Sequence, residues 1–270
     1  VPALDGVGVL VTRPAHQAAP LCRLFEDEGA AVTRFPAIDI RPLADTSTWT
    51  ARLGDLAAFD LIIFASANAV RYGAALLEPK HLEPKRLEPK RDLPLAAIGP
   101  ATARALNHAG YRVAVQPQQA GFDSESLLSH PRLASIAGRR VLIVKGQGGR
   151  ELLERELQRR GAALTLAEVY RRECRVVAAE ELGALEARFE RREIQVITAT
   201  SGEIGGNLLL LATPALRRYF ASAHWLVPGA RVAEALRQGG LEAPIVRAAS
   251  AEDQDLVSAV VRWRSAVSGA

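Results

Sequence analysis

Val9-Leu10-Val11-Thr12-Arg13 stands against Val141-Leu142-Ile143-Val144-Lys145, 132 positions further along the chain. At the same offset Gly29-Ala30-Ala31-Val32 stands against Gly161-Ala162-Ala163-Leu164, so a helical stretch at 20–28 has its counterpart at 152–160. Each of these helices is expected to stop at its glycine, where a C-terminal residue at positive φ costs least. Ile62-Ile63-Phe64-Ala65-Ser66 then returns as Ile197-Thr198-Ala199-Thr200-Ser201, 135 positions on, and Gly99 with Ala103, Ala105 and Leu106 returns as Gly229 with Ala233, Ala235 and Leu236, 130 positions on. Four matches in one order and at nearly one offset mark an internal duplication. Such a chain has to build two similar lobes, and its ligand is expected in the cleft between them.

Within each copy short apolar, β-branched runs alternate with amphipathic stretches, the pattern of parallel sheets with helices on both faces. Ten strands are predicted, at 7–11, 32–40, 61–65, 95–98, 113–116, 141–144, 164–171, 196–199, 225–227 and 245–247. The fold class is therefore α/β, with two similar, doubly wound, five-stranded parallel-sheet domains. The 270 residues, 49% hydrophobic and 24% charged, are enough for two ordinary cores. Two longer extended stretches, 35–43 and 165–176, run on without a turn signal and read as connectors between the lobes.

Several function classes drop out. The longest apolar run, 208–212, is far below the ~20 residues that span a bilayer, and 7–11 lacks the basic leader of a signal peptide and reads as a first strand. The formal charge of +4 is spread among acids (Arg150, Glu151, Glu154, Arg155, Glu156), and no aromatic residues interleave a basic run, which disfavours nucleic acid. Only Cys22 and Cys174 occur, far apart, which suits a reducing cytoplasm; both are expected to be buried, inert thiols. The histidines His16, His81, His108, His130 and His224 are dispersed, so no metal is expected. Gly146-Gln147-Gly148-Gly149 is followed at position 151 by Glu151 rather than the third glycine of a dinucleotide fingerprint, which disfavours an oxidoreductase, and no cofactor is expected. Three tandem copies of a Leu-Glu-Pro-Lys unit fill 77–91, where a proline at every fifth residue rules out regular structure; a solvated insertion carrying His81 is expected.

What remains is a repeated strand-to-helix junction: Thr12-Arg13-Pro14, Ser66-Ala67-Asn68, Gly99-Pro100-Ala101-Thr102, Lys145-Gly146-Gln147, Thr200-Ser201-Gly202 and Pro228-Gly229-Ala230-Arg231. Small and hydroxyl residues at the carboxyl ends of strands let an anion approach the open amides of the next helix. Taken singly, Ser66, Thr102 and Ser201 read more readily as plain N-caps; as a set clustered at the switch points of two sheets they favour a site. Tyr170 stands where the other copy has Ile38, so the duplication is broken there; it is either half-buried packing or a functional group.

These residues resemble the uroporphyrinogen-III synthase family over nearly the whole chain. The likeness is carried by Val11-Thr12-Arg13-Pro14, Phe64-Ala65-Ser66-Ala67-Asn68-Ala69-Val70, Ile98-Gly99-Pro100-Ala101-Thr102-Ala103, Ser124-Glu125-Ser126-Leu127, Lys145-Gly146 with Gly149-Arg150-Glu151 and Gly161, Val169-Tyr170-Arg171, Thr200-Ser201-Gly202-Glu203 and Gly229-Ala230-Arg231-Val232-Ala233. Departures are the 77–91 insertion and Arg231-Val232, where relatives often carry threonines. The resemblance implies a flavodoxin-like, swapped duplication joined by a two-strand connector, with 1–38 and 173–270 in one domain and 39–172 in the other.

It also implies the chemistry. Linear hydroxymethylbilane loses its ring-A hydroxyl as water, the azafulvenium carbon attacks ring D, and a spiro intermediate recloses with ring D inverted. This is a cofactor-free hydro-lyase acting on a polycarboxylate. Tyr170 is the expected catalytic residue, at the departing hydroxyl. The acid arms are expected at Arg13, Ser66, Ala67, Asn68, Pro100, Ala101, Thr102, Lys145, Gly146, Thr200, Ser201, Gly202, Gly229, Ala230 and Arg231. A cytoplasmic monomer with a mobile cleft is expected. A non-catalytic two-lobed protein that recognises a small anion is the competing reading.

Overall fold

The computed structural model describes residues 2–45, 53, 56–77, 94–117, 124–149 and 151–268. The chain divides into two compact units, Val1–Asp39 with Glu173–Ala270, and Ile40–Arg172. The first sheet, in the order β11-β10-β9-β1-β2, consists of β1 (Gly8–Val11), β2 (Ala31–Arg34), β9 (Val196–Thr198), β10 (His224–Pro228) and β11 (Ile245–Ala248). The second, in the order β3-β8-β7-β4-β5-β6, consists of β3 (Ile38–Pro42), β4 (Leu61–Phe64), β5 (Leu95–Ala97), β6 (Val113–Val115), β7 (Arg140–Gly146) and β8 (Ala163–Cys174). Each sheet takes the first two strands of one sequence copy and the last three of the other, the swap that the resemblance implied.

Among the described residues eleven strands form where ten were predicted, because the stretch 32–40 breaks in two. Pro36 has no amide hydrogen to give to a ladder. The chain leaves β1 after Phe35 N–H donates to Val11 O and Ala37 N–H to Thr12 O, and restarts as β3 in the other sheet. There it lies antiparallel to β8: Arg175 N–H donates to Ala37 O and Leu43 N–H to Val169 O, so the partners rise along one segment as they fall along the other. The second sheet is thus six-stranded rather than five-stranded.

The central strands β1 and β4 are buried along their whole length, as strands covered on both faces must be. In the second sheet the pleat sends alternate residues to two cores. Ile62, Phe64, Leu142 and Val144 join one with Val70 and Leu106; Leu61, Ile63, Val141 and Ile143 join the other with Leu127, Leu133 and Leu157. The helices supplying those partners are α2 (Ala67–Gly73) and α3 (Pro100–His108) for the first core, and α4 (Ser124–Leu128), α5 (Pro131–Ala134) and α6 (Leu152–Arg159) for the second. In the first unit α1 (Ala15–Asp27) buries Leu21, Cys22 and Phe25 against β1. Gly29 and Gly161 follow their helices at φ +89° and +84°, where a Cβ would be strained.

Cys22 is buried, but Cys174 is exposed, contrary to expectation: it is the last residue of β8, where the strand has run past its parallel neighbour β7. Leu77 is buried at the end of a short 3₁₀ turn, Ala74–Leu77, and 78–91 lies outside the described residues. Among the described residues no helix is long and apolar enough to cross a membrane.

Arg160, just past α6, ties three helices together. Its guanidinium donates to Leu128 O at 2.8 Å and Leu133 O at 3.0 Å, and to the Glu156 carboxylate at 2.8 Å. Arg160→Ala is expected to cost about 1–3 kcal/mol in urea unfolding, because two carbonyls of α4 and the α5 end lose a charged donor. The hydrogen bonds from Arg159 and Arg160 hold Glu156 down to about 2. A folded-state value depressed below the unfolded one gives stability that is complete above the ordinary carboxylate range near 4.5 and is lost as pH falls through about 2. Glu156→Gln should therefore flatten the stability profile in that window, as measured by urea midpoints at successive pH values.

Candidate active site

In the second sheet the chain runs from β7 outward to β8 and from β4 outward the other way to β5, so β7 and β4 flank a topological switch point. At their carboxyl ends opens a pocket of about 190 Å³, lined just past β4 by Ala65, from β7 by Lys145 and Gly146, from α6 by Glu154 and from β8 by Tyr170 and Arg172. Ser124, the first residue of α4, closes another side.

A β-bulge aims the tyrosine. Lys145 pairs with Glu168 but Gly146 pairs with Tyr170, so β8 carries one extra residue opposite the end of β7. The extra residue breaks the alternation, and Ala167, Val169 and Tyr170 all bury on the same core. Tyr170 is 3% exposed, and its Oη lies 3.1 Å from Ser66 Oγ. Ser66 is also the N-cap of α2, accepting from Ala69 N–H at 2.9 Å. If Tyr170 donates, both acceptor sites of Ser66 are filled and the serine proton is left over; if Ser66 donates, the phenol proton is left over. Either way the pair keeps one acidic hydrogen for something else. The ring packs against Tyr72, with centroids 5.9 Å apart, and Tyr72 Oη donates to Ile40 O at 2.9 Å.

Gly146 is required for that placement, since a Cβ there would lie 2.5 Å from the Tyr170 ring. Lys145 is 8% exposed and ion-paired with Glu154, so its charge is answered within the protein. Arg172 follows Tyr170 by two positions, on the same side of β8, and widens the positive end of the pocket.

The remaining junction residues are placed as follows. Ala67 and Asn68 form the first turn of α2, half-buried. Pro100 is the first residue of α3, whose N-cap is Gly99, and Ala101 is exposed. Thr102 differs from the capping alternative: it is 3% exposed within the helix and caps nothing. In the first unit, the switch point between β1 and β9 is closed by two buried threonines. Thr12 N–H donates to Thr198 Oγ1 at 3.2 Å and Thr12 Oγ1 donates to Thr198 O. Arg13 is committed to Asp253 and to Ala251 O, at the start of α11 (Asp253–Ser268). Ser201 caps α8 (Gly202–Leu211), accepting from Ile204 N–H at 3.1 Å, with Thr200 half-buried beside it. Gly229, at φ +83°, opens α10 (Ala230–Gln238), whose first residues Ala230 and Arg231 are exposed.

The structure thus gathers Lys145, Gly146 and Tyr170 around one pocket, with Ser66 in contact with Tyr170 Oη, and adds Ser124, Glu154 and Arg172. Arg172 had a signal in the two-residue period from Tyr170. Glu154 had none, because its approach to Lys145 depends on the turn between β7 and α6.

The family model described as HEM4, uroporphyrinogen-III synthase HemD, matches residues 19–258. The chain belongs to the uroporphyrinogen-III synthase family. It is 33% identical over 222 residues to the uroporphyrinogen-III synthase of Escherichia coli (strain K12), covering 82% of this chain and 84% of that protein. The synthase of Salmonella typhimurium is also 33% identical, over 235 residues. A crystal structure of a mutant uroporphyrinogen III synthase from the extremely thermophilic bacterium Thermus thermophilus superposes with a TM-score of 0.61 at 21% identity, over 98% of this chain and all of that one. The enzyme from Helicobacter pylori gives 0.60 at 16% identity, over 95% of this chain and 99% of that one. These structures share the fold: two α/β domains with mostly parallel sheets.

Proposed function

We propose that the chain is a uroporphyrinogen-III synthase, closing hydroxymethylbilane with loss of water and inversion of ring D. The observation that carries this reading is the 33% identity to the Escherichia coli enzyme along 82% of the chain. The reaction suits a site built of hydroxyls, amides and cations. The ring-A pyrrole pushes out its own leaving group, and ring D is the nucleophile, so the protein has chiefly to hold the substrate and handle protons. The C–O bond of the ring-A hydroxymethyl group breaks as the oxygen takes a proton and leaves as water. A C–C bond then forms to the substituted carbon of ring D; fragmentation and reclosure invert that ring, and a proton is returned when the macrocycle is complete.

In this reading Tyr170, with Ser66 behind it, supplies the hydrogen that meets the departing hydroxyl. First-turn amides of α2 (Ala67, Asn68) and of α3 (Ala101, Thr102), with Lys145 and Gly146, take acid arms, while Pro100, which has no amide hydrogen, only shapes the start of α3; an α-helix leaves its first amides without intrahelical acceptors. The first-unit set of Arg13, Thr200, Ser201, Gly202, Gly229, Ala230 and Arg231 belongs to the same proposal as carboxylate-binding positions. Arg13 takes that part by sharing its guanidinium with Asp253. The reading also takes the chain as a cytoplasmic monomer that needs no resident cofactor.

Incubation with hydroxymethylbilane, followed by oxidation and separation of the isomers, tests the proposal. Type III product in excess supports it. Type I alone, the product of unassisted closure, identifies a protein that only binds. The Lys145–Glu154 pair gives a second measurable consequence. Glu154→Gln removes the carboxylate that answers Lys145 and leaves the pocket one charge more positive, so KM for the polyanionic substrate is expected to fall about threefold or more, with kcat nearly constant. The fall should shrink as ionic strength rises.

A further inference from the structure

The first unit contains a second hollow that the synthase chemistry does not use. It lies at the amino ends of β9 and β10, the edge of the sheet opposite its junctions, and has a volume of about 630 Å³, within the range of small-molecule sites. Its walls come from α7 (Ala179–Glu190), α9 (Pro214–Ser222), α11 and the starts of the two strands.

Four aromatic rings line it in two pairs. Phe189 stacks on Tyr219 with centroids 5.6 Å apart and planes 11° apart, and His224 packs on Trp263 at 4.7 Å. Trp263 Nε1–H is buried with no acceptor among the described residues, a group that a folded protein seldom leaves unanswered. Burial pushes His224 below its ordinary value, so its imidazole adds no charge at neutral pH. Two arginines also line the hollow, and among the described residues neither Arg192 nor Arg264 has an ion-pair or side-chain hydrogen-bond partner, whereas nearby Arg188 and Arg191 both reach Glu193. Glu190 is the one carboxylate in the lining among the described residues, so the hollow is net positive. Arg192 is held at φ +58°, a left-handed backbone that a side chain of its kind rarely adopts.

We propose that this hollow is a binding site for a flat aromatic acid, its ring lying among Trp263, His224 and Tyr219 and its carboxylates meeting Arg192 and Arg264. An apolar ligand would leave both guanidiniums unanswered, and a small inorganic anion would leave the aromatic walls unfilled. The site shares no residue with the pocket at Tyr170.

Titration calorimetry on the full chain tests this with naphthalene-2,6-dicarboxylate as the probe and the neutral naphthalene-2,6-dicarboxamide as its control. Saturable binding of the dicarboxylate is expected, at least tenfold tighter than that of the dicarboxamide. Arg264→Gln alone should weaken it about tenfold, and adding Arg192→Asn, which tolerates the left-handed backbone, should weaken it further. Trp263→Phe, which keeps a ring and loses the N–H, should weaken it severalfold. Tyr170→Phe should bind the probe like the parent, and Arg264→Gln should leave synthase turnover unchanged. Absence of saturable binding, equal affinity for the two probes, indifference to Arg264→Gln, or displacement of the probe by hydroxymethylbilane would each overturn the proposal.

Discussion

Replacing Tyr170 by phenylalanine is expected to lower kcat for hydroxymethylbilane closure about a hundredfold while KM moves little, and to raise the share of type I product. Positioned proton donors contribute roughly 10²- to 10⁴-fold. The low end applies here because the pyrrole nitrogen already pushes the hydroxyl out. A hundredfold corresponds to about 2.7 kcal/mol of transition-state stabilisation. The hydroxyl is held by Ser66 Oγ, 3.1 Å away, and the ring is enclosed, so phenylalanine keeps the packing and loses the hydrogen. The fold should tolerate the change at a cost of about 1 kcal/mol in urea, the net worth of one hydrogen bond. Isomer analysis beside steady-state kinetics checks the expectation: unchanged kcat and an unchanged isomer ratio would reduce Tyr170 to a packing residue.

Gly146→Ala should do comparable damage without touching the tyrosine. The new methyl would lie 2.5 Å from the ring, and β7 cannot yield, being hydrogen-bonded between β8 and β4. The ring has to tilt, and the contact with Ser66 opens. Overpacking of this kind costs about 1–3 kcal/mol in stability. The decisive measurement is the double variant. If both changes act through the phenol, Gly146→Ala combined with Tyr170→Phe should be no slower than the worse single variant, whereas independent effects would multiply. A fully active Gly146→Ala enzyme would mean that the ring's position does not matter.

Much of the fold was written in the duplication. Residues 9–13 and 141–145 announced two central strands, β1 and β7, and the glycines at 29 and 161 announced where the following helices end. Which copy supplies which strand to a sheet was not readable from periodicity, since a strand at 61–64 has the same pattern beside β7 as it would beside β1; the family resemblance gave it. The break at Pro36 could have been seen, because a proline seldom sits inside a central strand, but the apolar run around it hid the restart. At the site, the junction residues followed from the strand-to-helix pattern. The bulge that turns Tyr170 toward Ser66 depends on how two strands separated by a helix settle against each other. The answering charges are hidden for the same kind of reason: nothing in the spacing of Lys145 and Glu154, or of Arg13 and Asp253, says that the turn and the helix start bring them together.

The exchange of strands between copies also sets an order of assembly. The unit formed by Ile40–Arg172 is continuous, so its sheet can close once that stretch of chain has been made. The other unit cannot. Its strand β1 is synthesised before the other unit, but its inner neighbour β9 comes almost two hundred residues later, Val9 facing Val196. Until the ribosome has delivered that partner, β1 carries one open, apolar strand edge, which leaves it within reach of a chaperone for as long as the whole other unit takes to be made.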